Sequence, residues 1–500
     1  MILSPPAAGP AAPDTTVTDA VFGARSWGER AAVVEAGSGR ALSYAGLAEA
    51  IGAAAGGLVR AGLGEGTAVG LLVPDTPEFV VAAHAVMAAG AGLVPVRATA
   101  GRSEIVRRLR ASRARALITW PVLADVALES VGGTDVERVF CFGDEPDVEP
   151  FSTLLHGGPG PRTAGEPGTG VAVLAEAGPA AGAARDVWLT HRHLVAGLVQ
   201  LTAAGMLSGS DVVLSGVPFA DVVGLNGVLA PALRLGATVV ARCGSGTHDL
   251  LRTLADHRVT VAVLPPGPVE TLAFDEAVDR YDLSALRSVV STGGPLSVDV
   301  ARACAARLGC PVRQAYGQAA AAGFTHLNLR AAEEGTLDSI GRGLPWVSWQ
   351  VVDPTTGLRQ PSYRPGELRL RGPMVAAPHG GWLPTGDAAF ADEHGRVYIV
   401  GRMDATRPEP PADPGVLLAR HPAVEEAVVV PVPDEGLGLA PHAFVVLRGP
   451  GRAEDLLRYV NGHLPTFQRI LAIHEVDAIP RSPGGRVLRR ALLERVRLSP

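Results

Sequence analysis

The chain has 500 residues, 47% of them hydrophobic and 19% charged, with a formal net charge of −6. That length exceeds one compact core and predicts two or more domains, and the charge excludes a nucleic-acid surface, which needs clustered cationic residues. All 44 residues counted as Lys+Arg are arginine, so no step here can use a lysine side chain from this chain.

Residues 1–20 read as a disordered N-terminal segment, because MILSPPAAGPAAPD is broken by prolines and lacks the basic n-region of a signal peptide. Ala68–Pro74 (AVGLLVP) predicts a buried strand and Glu78–Ala89 a helix opened by DTPE. The apolar run from Phe79 to Val96 is long enough to raise a membrane span. Gly90, Gly92 and Pro95 divide it, which favours a buried helix followed by a buried strand. Strands at Gly92–Val96 and Ala116–Thr119 flank an Arg-rich helix, Ser103–Ala111. Gly157–Gly170 is a Gly/Pro-rich linker. Val212–Leu214, Thr238–Ala241, Val261–Leu264 and Val289–Ser291 continue the alternation, which implies helices packed on mostly parallel sheets. From Gly366 the texture (GELRLRG, VYIVGR) predicts a small antiparallel part. The Pro-rich ATRPEPPADPG after Asp404 marks a boundary. Beyond it, strands at Ala427–Val432 and Ala443–Leu447 and helices at Ala453–Leu464 and Leu488–Arg497 make a small α+β domain. The fold class is therefore α/β, with a large domain over residues 21–402 and a small one over 403–500. Four cysteines without a C-x-x-C pair point to a reduced, cytoplasmic compartment.

G-x-x-x-x-G-K-[ST], H-E-x-x-H, G-x-S-x-G and paired C-x-x-C motifs are all absent, and no metal-ligand spacing stands out. A different set of segments occurs in order. WLTHRHLVAG (Trp188–Gly197) is followed by VPFADVVGL (Val217–Leu225) and by Asp279–Gly317, which ends in QAYG. GWLPTGD (Gly381–Asp387), YIVGRMD (Tyr398–Asp404) and IPRSPGGRVLRR (Ile479–Arg490) complete the set. With ALSYAGLAEA and LVPDTPEFVVA upstream, these resemble the adenylate-forming superfamily of acyl-CoA synthetases and 4-coumarate–CoA ligases along nearly the whole chain. The resemblance implies a large AMP-binding domain and a small mobile C-terminal domain. It also implies attack of a carboxylate on the α-phosphate of ATP, then displacement of AMP by a thiol, with ATP, Mg²⁺ and CoA as cofactors.

Residue by residue the likeness is uneven. Gly293, Gly294 and Pro295 with Tyr316 and Gly317 resemble the walls around the adenine. Asp387 resembles the carboxylate that receives the ribose hydroxyls, Arg402 the arginine near the ribose, and Asp404 the hinge. Asp221 and Val223 fall in the acid pocket; Asp221 replaces a histidine and either reads a cationic ligand or faces water. The phosphate loop, which relatives build from Ser, Thr, Gly and Lys so that donors and charge converge on phosphates, is here EAGPAAGAARD (Glu176–Asp186). Asp186 is expected to place negative charge beside the site. The motif Y-G-x-T-E, whose glutamate suits Mg²⁺, reads Tyr316-Gly317-Gln318-Ala319-Ala320. Arg486 stands where relatives carry the catalytic lysine, a wide planar fork in place of a compact ammonium. The stretch from Asp404 to Val416 is short and lacks the K-x-x-G that helps form the thiol channel.

Three readings follow: an acyl-CoA synthetase-like ligase with standard activity absent or very low, a pseudoenzyme that binds a nucleoside, an acyl-adenylate or a partner protein, and an enzyme with nucleotide-independent chemistry in the inherited pocket. Expected ligands are a small carboxylic acid or a nucleotide, with neither nucleic acid nor a membrane span.

Overall fold

The structure, a computed structural model, describes residues 13–23, 27–158, 170–180, 183–242, 244, 246–329, 337–377, 381–403, 414–419, 421–434, 438–449, 452–462, 470–480 and 492–493. The chain forms two compact units: Met1–Leu296 with Val300–Ile399, and Ser297–Asp299 with Val400–Pro500.

In the first unit, short runs of β-branched and aliphatic residues are buried on both faces and pair in parallel, as crossover helices require. A nine-stranded sheet runs in the order Arg342–Gly343, Gly323–Leu327, Val312–Gln318, Ser288–Ser291, Val261–Leu264, Val212–Ser215, Thr238–Ala241, Ala31–Glu35, Ala41–Ser43. Its central pairs are parallel and its outer pairs antiparallel. A seven-stranded sheet follows the order Glu149–Pro150, Arg138–Cys141, Ala116–Thr119, Ala68–Leu72, Gly92–Pro95, Val171–Ala180, Ala183–Thr190, parallel except for the last pair. One large apolar core draws on both sheets and on the helices Tyr44–Arg60, Pro77–Ala88 and His191–Ala203. A smaller antiparallel part carries Ser348–Val352, Gly366–Arg371 and Leu383–Ala391, and its fourth strand, Val397–Arg402, leads into the second unit.

The run from Phe79 to Val96 divides as its glycines suggest, into the helix Pro77–Ala88, capped by Thr76, and the strand Gly92–Pro95. Among the described residues no helix is long and apolar enough to cross a membrane. The N-terminal segment needs a correction, because the helix Val17–Phe22 begins within the stretch read as disordered and runs past its end. Thr16 caps it, and Val17 and Val21 are buried in the large core. Two histidines from other helices also meet it. The Nδ1 of His191 accepts from Val17 N at 3.3 Å, and the Nδ1 of His84 lies 3.1 Å from the Thr18 hydroxyl.

In the second unit, Val424–Asp434 and Gly438–Leu447 form an antiparallel ladder, and Ala472–Glu475 adds to it in parallel. The amphipathic helix Ala453–Gly462 packs its Leu456 and Val460 into that unit's own core. Of the expected helix Leu488–Arg497, only residues 492–493 are described.

Candidate functional site

The segment at the phosphate-loop position is the turn end of a hairpin. Val171–Ala180 and Ala183–Thr190 pair antiparallel, with Glu176 opposite Asp186 and Ala177 opposite Arg185. The far strand runs straight into a helix through a capping box, in which the Thr190 hydroxyl accepts from His193 N and the His193 Nδ1 accepts from Thr190 N. Two carboxylates facing each other across a ladder repel, so this register needs counter-ions. The helix Arg102–Ser112 supplies them. Arg107 donates to Asp186 Oδ2 at 2.8 Å and to Glu176 Oε1 at 3.0 Å. Arg108 donates to Asp186 Oδ1 at 3.1 Å and to the Leu174 carbonyl at 2.8 Å, and is only 2% exposed. The negative charge expected beside the site is thus neutralised from behind: Asp186 fastens the hairpin to the helix.

The position at which the resemblance leads one to expect a metal-binding glutamate is apolar. Ala319–Ala321 form a single 3₁₀ turn; Ala320 is 2% exposed, and its carbonyl accepts from Ala376 N at 2.8 Å. With a buried methyl group where a carboxylate would stand, these residues do not fit a Mg²⁺–triphosphate, since hard cations require oxygen ligands.

Tyr316 and Asp387, both singled out from the sequence, come together. The Tyr316 hydroxyl donates to Asp387 Oδ2 at 2.5 Å. Gln318 Nε2 reaches the same oxygen at 2.8 Å, the Tyr316 oxygen at 2.8 Å and the Thr385 carbonyl at 3.0 Å. The Thr385 hydroxyl donates to the Leu368 carbonyl at 2.7 Å and accepts from Asp387 N at 3.1 Å. Asp387 is 6% exposed, so groups of its own chain, these donors among them, surround it in place of water. Burial and the neighbouring carboxylate hold the Tyr316 phenol well above its ordinary range. Gln318 and Thr385 were absent from the sequence-level candidates. The signal was the strand period: residues two apart share a face, so Gln318 follows Tyr316 and Thr385 precedes Asp387. Behind Tyr316 sits His326, its opposite number in the ladder, fully buried with its ring 6.0 Å from the Tyr316 ring, edge to face.

Gly317 serves the fold itself, because a Cβ there would lie 2.4 Å from the Gly323 carbonyl oxygen. Gly317→Ala is accordingly expected to lower stability by about 2 kcal/mol through overpacking, checked by the urea midpoint. An unchanged midpoint would return this glycine to a purely ligand-facing role. Gly293, Gly294 and Pro295 form an exposed turn after Ser288–Ser291, with Gly293 at φ +82. Asp221 neither faces water alone nor stands ready for a cation, because Arg97 reaches its Oδ1 at 2.9 Å. Nearby, Asp75 accepts from Phe219 N at 3.0 Å, and its carboxyl is pushed up to about 7, first by burial. Val223 opens the helical segment Val223–Leu229 and packs against the large core. Arg402 ends the strand Val397–Arg402 in the second unit. Asp404 and Arg486 lie outside the described residues.

Residues 22–378 match the family described as AMP-binding enzyme, and residues 416–486 match its C-terminal domain. Among curated proteins, 4-coumarate–CoA ligase 5 of Oryza sativa subsp. japonica is 30% identical over 93% of this chain and 91% of its own length. The 4-coumarate–CoA ligase-like 9 of the same organism is 31% identical over 96% and 93%. Among solved structures, the anthranilate CoA ligase AuaEII in complex with anthranoyl-AMP superposes with a TM-score of 0.74 at 21% identity, covering 97% of this chain and 98% of that one. The amide bond synthetase McbA from Marinactinospora thermotolerans gives 0.69 at 26% identity, covering 96% and 99%.

Proposed function

Since the chain belongs to the AMP-binding enzyme family, we propose that it is an acyl-CoA ligase-like protein whose nucleoside and acid pockets outlast its ATP chemistry. Formation of acyl-adenylate from ATP is then absent or very slow. The observation that carries this reading is Ala320, a buried methyl group at the metal-binding carboxylate position. Three further features support it. The hairpin at the phosphate-loop position turns its carboxylates to Arg107 and Arg108. The chain contains no lysine. Arg486 stands at the position of the catalytic one. Loss of a single transition-state donor lowers kcat by about a hundredfold or more, and here a metal ligand, loop donors and the lysine are replaced together.

The test is calorimetry of the full chain with AMP and with ATP·Mg²⁺, alongside pyrophosphate release in the presence of 4-coumarate, anthranilate or benzoate. AMP is expected to bind at least as tightly as ATP·Mg²⁺, because the phosphates find no grip, and pyrophosphate release is expected to stay at background. Turnover near the ordinary enzymatic value of about 10 s⁻¹ with any of these acids would overturn the reading. A second reading, a binding subunit with no turnover that recognises a nucleoside, an acyl-adenylate or a partner protein, is favoured by the fastened hairpin. Ordinary ligases bind and release phosphates in this loop on each cycle, whereas here it is tied to a helix by a buried arginine.

A further inference from the structure

Gln318 places its amide nitrogen within 2.8–3.0 Å of three acceptors: the Tyr316 oxygen, the Thr385 carbonyl and Asp387 Oδ2. Two of these, a carboxylate and a carbonyl, can only accept, so the network fixes the nitrogen, not the oxygen, toward Asp387. The Tyr316 hydroxyl donates to the same Oδ2. One oxygen of a buried carboxylate therefore receives two donors from its own chain, and these donors imitate what a vicinal diol offers: two hydroxyl groups on adjacent carbons, each able to donate. The tie is short-range and internally consistent. Tyr316 and Gln318 lie two apart on one strand, Thr385 and Asp387 two apart on another, and the Thr385 side chain anchors the second strand to Leu368.

We infer that Gln318 is a built-in competitor for the diol-binding carboxylate, so that a nucleoside must displace its amide from Asp387 before its ribose can dock. The inference rests on the nucleoside-binding reading above and adds to it the residue that sets affinity and selects for the diol. A hydrogen bond to an ionised group stands at the strong end of the range, so a ligand that breaks one to make another gains little. Removing the competitor takes one of the donors away from Asp387 Oδ2 and favours the incoming hydroxyl. Tyr316 retains its bond, its ring position and its contact with His326.

The experiment compares the wild-type chain with Gln318→Met, which preserves length and removes both polar atoms, by calorimetry with AMP and with 2′,3′-dideoxy-AMP. Gln318→Thr, too short to reach Asp387, serves as the second variant should methionine disturb the fold, and urea midpoints establish that each variant is native. The expected result is AMP binding about tenfold tighter in the variant, with no gain for the dideoxy ligand. Equal gain for both ligands, or unchanged or weaker AMP binding in the variant while the wild type binds AMP, would overturn the competition and leave nucleoside binding standing. If neither the wild type nor either variant binds AMP, the nucleoside reading itself fails and the inference with it.

Discussion

Substitution of Asp186 by alanine is expected to destabilise the first unit by about 3 kcal/mol, because it leaves a buried guanidinium without its main counter-ion. Arg108 is 2% exposed and spends one arm on the Leu174 carbonyl, the other on Asp186 at 3.1 Å. A second carboxylate, Glu176, stands 3.8 Å away and is more exposed than Asp186. An exposed ion pair contributes about 0–1 kcal/mol, whereas breaking a buried one costs about 3–5 kcal/mol. The lower end applies here because the Leu174 bond survives. Glu176→Ala is the matched control, expected to lose less than about 1 kcal/mol and to relieve the repulsion across the ladder. Urea denaturation of the two variants decides the matter. Equal losses, or a loss below about 1 kcal/mol for Asp186→Ala, would mean that the hairpin stands without its fastening to the helix.

Acidification is expected to unfold the protein well before carboxylates of ordinary pKa titrate. Three buried histidines resist protonation in the native state: burial pulls His84 and His326 down to about 3 and His191 to about 4. In the unfolded chain each takes up a proton near pH 6.5. Above 6.5 both states are neutral and the three contribute nothing to the pH dependence. As pH falls from 6.5 toward 4 the unfolded state binds protons that the native state refuses, so stability declines. The limiting slope is about 1.4 kcal/mol per histidine per pH unit, or about 4 kcal/mol per unit for all three. Asp75 opposes this. Its native value of about 7 lies above the unfolded 3.8, so it binds its proton earlier when folded and gains stability as pH falls from 7 to 3.8. One group against three leaves a net loss of nearly 3 kcal/mol per unit. Asp211, lowered to about 2, adds its own loss only below about 3.8. Against a total stability of about 5–15 kcal/mol, midpoints measured in urea should drop steadily from pH 6.5 downward. A flat profile between pH 7.5 and 5 would show that these imidazoles are hydrated or paired in the native state.

Much of the first unit was legible because its strands are short apolar runs set between helices. Ala116–Thr119, Thr238–Ala241 and Val261–Leu264 have the boundaries their burial predicts. The hairpin was not legible. Alanine, glycine and proline between Glu176 and Arg185 carry no strand preference, and what orders the segment lies elsewhere: a parallel partner at Leu93 and two arginines 78 and 79 residues away in sequence. The Arg97–Asp221 pair was hidden in the same way, since its members are separated by 124 residues. The cluster around Asp387 lay half in view. Tyr316 and Asp387 were found through their motifs, whereas Gln318 stood only at the variable position of one. A strand-period search outward from each candidate would have found it.

The two histidines on the N-terminal helix Val17–Phe22 carry a consequence of their own. Both His191 Nδ1, which accepts from a backbone N–H, and His84, which faces a hydroxyl, hold that helix as uncharged bases. A proton on His191 Nδ1 reverses its donor–acceptor relation with Val17 N, whereas the Thr18 hydroxyl, which also donates to the His84 carbonyl, can meet the His84 ring in either tautomer. Because Val17 and Val21 are buried in the same core as the sheets, the seat of this helix is a place where a proton is disfavoured, and its hold weakens together with that of the first unit as pH falls.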